Sequence, residues 1–245
     1  EKLRIFYGKY ELYVTAGIKF ILGMIVFITI NSKLGYMERL NHPAVVLILS
    51  LGCAFLPINA MVMLGCGMIL LHLFALSMEA SAIGLCLFVL LLFMYGKFAP
   101  KNGYSTILTS LLCFFRVPQV MPVAVGMLKE PSAYLSVLCG TVTYFYVRGV
   151  QGNLVNFTAT EETEGLAKFT AALKVLIGNK EMYLLLAAFL ITSLVVYVIR
   201  RQEIDYAWRI ALFSGNMVEL VILLVGYILL GMPEKILGVV IGILL

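Results

Sequence analysis

Two charged side chains stand inside apolar runs of this sequence, and they are its clearest candidates for chemistry. Arg116 sits between Phe114-Phe115 and Val117-Pro118. A guanidinium in lipid is costly unless a carboxylate or carbonyl groups receive it. Either it binds an anionic group or a partner acid, helped by free backbone groups at the break, or the short helix ends at the interface and the arginine snorkels. Glu219 lies in Phe213-Ser-Gly-Asn216-Met-Val-Glu219-Leu-Val-Ile. It is too deep to reach water, and Asn216 falls one turn earlier on much the same face. Such an acid suits a proton or cation site, and otherwise a structural acid paired with Lys19 or Arg116.

The remaining polar positions have simpler readings. Lys19 is expected to snorkel, and the lone His72 to be a satisfied core residue. Asn59, two residues after Pro57, is placed to cap the helix that follows, and Glu79 and Glu130 to favour helix starts. Cys53, Cys66, Cys86, Cys113 and Cys139 form no C-x-x-C pair and read as small buried hydrophobes. Gly238-Val-Val-Ile-Gly242 matches the small-residue pattern that lets two membrane helices approach. Tyrosines near the predicted span ends and Trp208 read as interface belts.

The elements that must position Arg116 are broken by proline. Leu51 to Gly65 and Leu111 to Gly126 resemble each other, with Pro57 falling on Pro118 and Gly65 on Gly126. Proline removes a backbone donor and clashes with the preceding turn. Pro118, with Pro122 close behind, cannot continue a regular helix, and Pro57 interrupts a run too long for one straight crossing. Interrupted apolar segments in corresponding positions point to a site inside a membrane protein. The repeat is weak, because apolar segments match easily. Depending on whether each unit crosses or turns back, the two run parallel or inverted.

Composition fixes the class. Hydrophobic residues make up 62% of the chain and charged residues 13%, about half of what a soluble domain carries. The chain is expected to be an all-α, polytopic integral membrane helix bundle with about eight membrane elements. It divides into a lead-in and first span (1–42), a first broken unit (43–97), a second (98–150), an amphipathic surface segment (151–180) and C-terminal spans (181–245). In the surface segment Thr158 and Glu161 fit a capping box, and Leu166, Phe169, Leu173 and Leu176 share a face. The net charge of +5 suits anionic lipid rather than nucleic acid. Basic residues divide almost evenly between the two sides if every segment crosses, with Lys97 and Lys101 opposite Lys129 and Arg200.

Nothing in the sequence resembles a nucleotide-binding loop, a metalloprotease helix or a serine-hydrolase elbow. No enzyme, metal site or cofactor is expected. The reading is a transport or permease-like protein, or a membrane subunit of one, multi-pass in the plasma membrane. Its pathway would lie between the broken segments, with Arg116, Glu219, Asn216, Asn59, Pro57, Pro118 and Pro122 along it. The alternative is a non-catalytic scaffold in a multi-protein membrane assembly, which would dock partners through the surface helix at 160–177 and the Gly238/Gly242 face. The expected partners are the lipid bilayer and either other membrane subunits or a second copy.

Overall fold

A computed structural model describes residues 2–158 and 165–244. The chain is all-helical, with 86% of it in helices and no strand among the described residues. Five helical stretches are long and apolar enough to span a membrane: Tyr10–Lys33, Ile58–Leu76, Met78–Phe98, Lys168–Arg200, which is interrupted at Gly178-Asn179, and Ala207–Leu229. The capping box expected at Thr158 and Glu161 lies outside the residues whose side chains are described.

The first half is built from α1 (Lys2–Lys33), α2 (Pro43–Phe55), α3 (Ile58–Leu76) and α4 (Met78–Phe98). Pro43 opens α2 at a position where its missing N–H costs nothing. Pro57 and Leu56 take extended backbone, so α2 ends and α3 begins across an exposed corner. The Leu56 carbonyl at this corner accepts a hydrogen bond from Lys19 Nζ at 3.1 Å. Lys19 thus ties α1 to the α2–α3 corner instead of only reaching outward.

The opposite end of this half is closed by His72. The Met37 backbone N–H donates to His72 Nδ1 at 3.2 Å, so the ring proton sits on Nε2. Nε2 donates to Asn31 Oδ1 at 2.9 Å, and Asn31 Nδ2 donates to the Leu40 carbonyl at 2.7 Å. This chain of bonds pins the α1–α2 connection onto α3. Ser77 caps α4 by accepting from the Ala80 N–H, and its hydroxyl donates to Glu79.

The second half contains α5 (Gly103–Phe114), α6 (Val120–Leu128), α7 (Ser132–Gly152), α8 (Leu154–Thr158), α9 (Gly165–Ile177), α10 (Lys180–Arg200), α11 (Ala207–Leu229) and α12 (Ile236–Leu244). α5 is about 18 Å long and α6 about 13 Å at 1.5 Å per residue. They form a hairpin that starts and finishes at the same end of the bundle, since residues 98–102, 128–130, Ser132 and Arg200 line one cavity. Lys101 and Lys129 therefore share an end and are not divided between two.

Glycines set the approach of these short helices to their long neighbours. Gly140 lets α7 lie against α5, where a Cβ would come within 2.6 Å of the Thr106 carbonyl. Gly126 lets α6 lie against α10, where a Cβ would be 2.8 Å from the Ser193 carbonyl. The Ser193 hydroxyl donates to the Pro122 carbonyl at 3.1 Å, and Arg200 donates to the Met127 carbonyl. These contacts make α6 parallel to α10. α9 buries Ala172 and Val175, and it packs on α4 and α7. Of the face expected from Leu166, Phe169, Leu173 and Leu176, Leu173 and Leu176 pack against the core and Phe169 is exposed, while the Leu166 side chain lies outside those described.

Candidate functional site at the α6, α10 and α11 junction

The turn between α5 and α6 closes on itself. α5 ends in a Schellman motif: the Val117 N–H donates to the Leu112 carbonyl and the Arg116 N–H to the Cys113 carbonyl. Arg116 occupies the left-handed position that glycine usually takes, with φ of 65°. Its side chain is exposed, and among the described residues it forms no hydrogen bond or ion pair. It does not meet Glu219. Pro118 follows and is buried, and the Met121 N–H returns to the Pro118 carbonyl at 3.1 Å. Pro122 falls in the first turn of α6, where no donor is needed. The backbone at this turn is therefore well supplied with partners, and side chains carry the site.

Beside the turn, Gln119 Oε1, Thr192 Oγ1 and both carboxylate oxygens of Glu219 are buried and have no hydrogen-bond partner among the described residues. Thr192 and Glu219 are fully buried, and Gln119 is 6% exposed. Helix register brings them to one depth. α10 and α11 run antiparallel, meeting at Val196–Gly215 and again at Leu184–Gly226. One turn inward from the first contact, Thr192 lies at the level of Glu219. α6 meets α11 where Val123 faces Gly215, with a Gly215 Cβ 3.8 Å from Val123 Cγ2. One turn inward from there, Gln119 reaches the same level. Glu219 is about 18 Å along α11 from Ala207, close to the middle of a 30 Å apolar layer.

A cavity of about 430 Å³ opens next to this level, between α6, α11 and α12. Trp208 and Leu128 stand toward its outer part, and Gln119, Asn216 and Gly242 line it. Asn216 is thus a wall of the cavity one turn before Glu219. Gly242 lies directly against the Gln119 carboxamide, so its lack of a side chain serves packing within the chain; Gly238 has open space around it.

The first interrupted segment contributes nothing here. Pro57 is exposed at its corner, and α3 begins without a side-chain cap. Asn59 Oδ1 instead accepts the Tyr95 hydroxyl at 2.5 Å, holding the start of α3 to the end of α4. Between the two units, α1, α3 and α5 enclose an apolar crevice of about 70 Å³. Thr29, Thr106, Ser110 and Thr143 line it; the hydroxyls of Thr29, Ser110 and Thr143 are bonded to a carbonyl one turn back on their own helices, and Thr106 Oγ1 has no partner among the described residues. The cysteines are free; Cys53, Cys113 and Cys139 are buried, whereas Cys86 is exposed. No group of three metal-ligating side chains occurs among the described residues.

Glu219, Asn216 and Pro118, singled out in the sequence, lie at this junction together with Gln119 and Thr192, which the sequence did not single out. Gln119 was signalled by its place between two prolines. Thr192-Ser193 is a polar pair in an otherwise apolar run, a weaker sign because hydroxyls commonly bond their own helix. Comparison with family models, curated proteins and solved structures finds no match to this chain.

Proposed function

We propose that the chain is a membrane transport protein, or the membrane subunit of one, in which Glu219 takes up a proton or a small cation. The observation that carries this reading is a fully buried carboxyl group with both oxygens unpartnered, at one depth with two further unpartnered acceptors. An apolar interior tolerates such a group poorly, and buried ionisable side chains in membrane spans mark ion and proton routes. Gln119, Thr192 and Glu219 together offer oxygen ligands only, which suits a proton or a hard cation.

In this reading α7 also crosses the membrane, and α5–α6 dips to mid-depth and returns. The cavity at Trp208, Gln119 and Asn216 is the approach, and Glu219 is the innermost acceptor. The route lies between α6, α10 and α11, away from the corner at Pro57. Arg116 serves as the αL residue of the turn and not as a ligand. Movement of the short α6 against α10 and α11 would open and close the approach.

The test is proton and cation flux in proteoliposomes, followed with an internal pH dye under sodium, potassium and pH gradients. Glu219→Gln keeps the shape and removes the charge, and it should abolish flux. Arg116→Ala should leave flux within about twofold. Unchanged flux in Glu219→Gln would remove this reading. Purification with stoichiometric foreign subunits and no flux would favour the scaffold instead.

A further inference from the structure

The end of the bundle where the α5–α6 hairpin enters and leaves carries a second cavity, independent of Glu219. Its volume is about 560 Å³. Lys101, Lys129 and Arg200 line it, with Glu130 as the opposing acid. Among the described residues, Lys101, Lys129 and Glu130 form no ion pair. Arg200 is partly engaged, donating to the Met127 carbonyl and lying over the Tyr197 ring. The balance in the cavity is three cations to one anion.

Two further features strengthen the preference for an anion. α5 and α7 both begin at this cavity, through Asn102 and Ser132, and neither has a side-chain cap. Their leading N–H groups and dipoles add positive potential to that of the three cations. Phe98 and Leu128 complete the lining, and both are exposed, at 56% and 66%. A cavity that joins cations to exposed apolar side chains at the end of membrane helices matches a molecule with a charged head and an apolar tail.

We propose that this cavity binds a phosphate group, that of an anionic phospholipid headgroup whose acyl chain lies along Phe98 and Leu128. Basic pockets between membrane helices hold such headgroups, and each lysine near the surface adds to the attraction. Glu130 limits the affinity, so its removal strengthens binding.

The protein is incorporated into nanodiscs of phosphatidylcholine alone or with phosphatidylglycerol, and the lipid retained on release is counted by native mass spectrometry. Phosphatidylglycerol should be retained over phosphatidylcholine. The double variant Lys101→Gln/Lys129→Gln should lower that retention by roughly tenfold. Lys33→Gln, at the opposite end of the bundle, should not change it. Glu130→Gln should raise it, an outcome that misfolding cannot produce. Inorganic phosphate is the second arm. If it binds the lipid-free protein and is lost in the double variant while phosphatidylglycerol is not selected, the phosphate is a free one and the lipid assignment fails. Equal retention of the two lipids together with no phosphate binding would overturn the site altogether.

Discussion

At the scale of single residues, the balance between stability and chemistry is sharpest at Glu219. A carboxyl group without partners in an apolar interior opposes folding, because desolvation is uncompensated. Replacing it by leucine should therefore raise stability by about 1–3 kcal/mol while abolishing flux. The check is thermal unfolding in one detergent, and a lower midpoint for Glu219→Leu would show that the carboxyl is structurally bonded. Arg116 gives the converse case. Its φ of 65° is costly for a residue with a Cβ. Arg116→Gly should keep or raise the unfolding midpoint, by up to about 1 kcal/mol in stability, because glycine suits that position of the Schellman motif. A clear loss would mean that the arginine side chain holds the turn.

At the scale of elements, the short helices depend on close backbone approach. A Cβ on Gly140 would meet the Thr106 carbonyl at 2.6 Å and Thr109 Cβ at 2.9 Å. Backbone cannot give way as a side-chain end can, so Gly140→Ala should cost about 1–3 kcal/mol. Gly126→Ala should cost a similar amount by pushing α6 from α10. Gly238, with nothing within 4 Å, is the control, and Gly238→Ala should leave the midpoint unchanged. Thermal unfolding of the three variants side by side decides the matter. Equal midpoints would mean that α5 and α6 are held by something other than these contacts.

At the scale of the whole molecule, the consequence of the α5–α6 hairpin is a topology. If it dips and returns, residues 101 and 129 face the same compartment, and residue 33 faces the other. Single cysteines at Lys101, Lys129 and Lys33, in a chain with its five native cysteines replaced, can be labelled from outside with a membrane-impermeant maleimide. Positions 101 and 129 should react alike and position 33 oppositely. Opposite labelling at 101 and 129 would make α5–α6 a crossing and move the basic cavity apart.

The all-helical class and the presence of helices long and apolar enough to span a membrane follow from sequence alone, because long uncharged runs leave no other place for so much apolar surface; the structure has five such helices where about eight membrane elements were expected. Glu219 was legible for the same reason: a charge in such a run is conspicuous wherever the fold puts it. Pro57 and Pro118 looked equivalent, because proline interrupts a helix by local chemistry that is identical at both positions. Only packing separated them, leaving Pro57 on an exposed corner and Pro118 buried just before α6. Gln119 and Thr192 became notable only with the tertiary structure. An amide or hydroxyl is ordinary in sequence, and whether it lacks a partner is decided by the register of three helices. That register is set by glycine contacts between residues far apart in the chain, which no local pattern encodes.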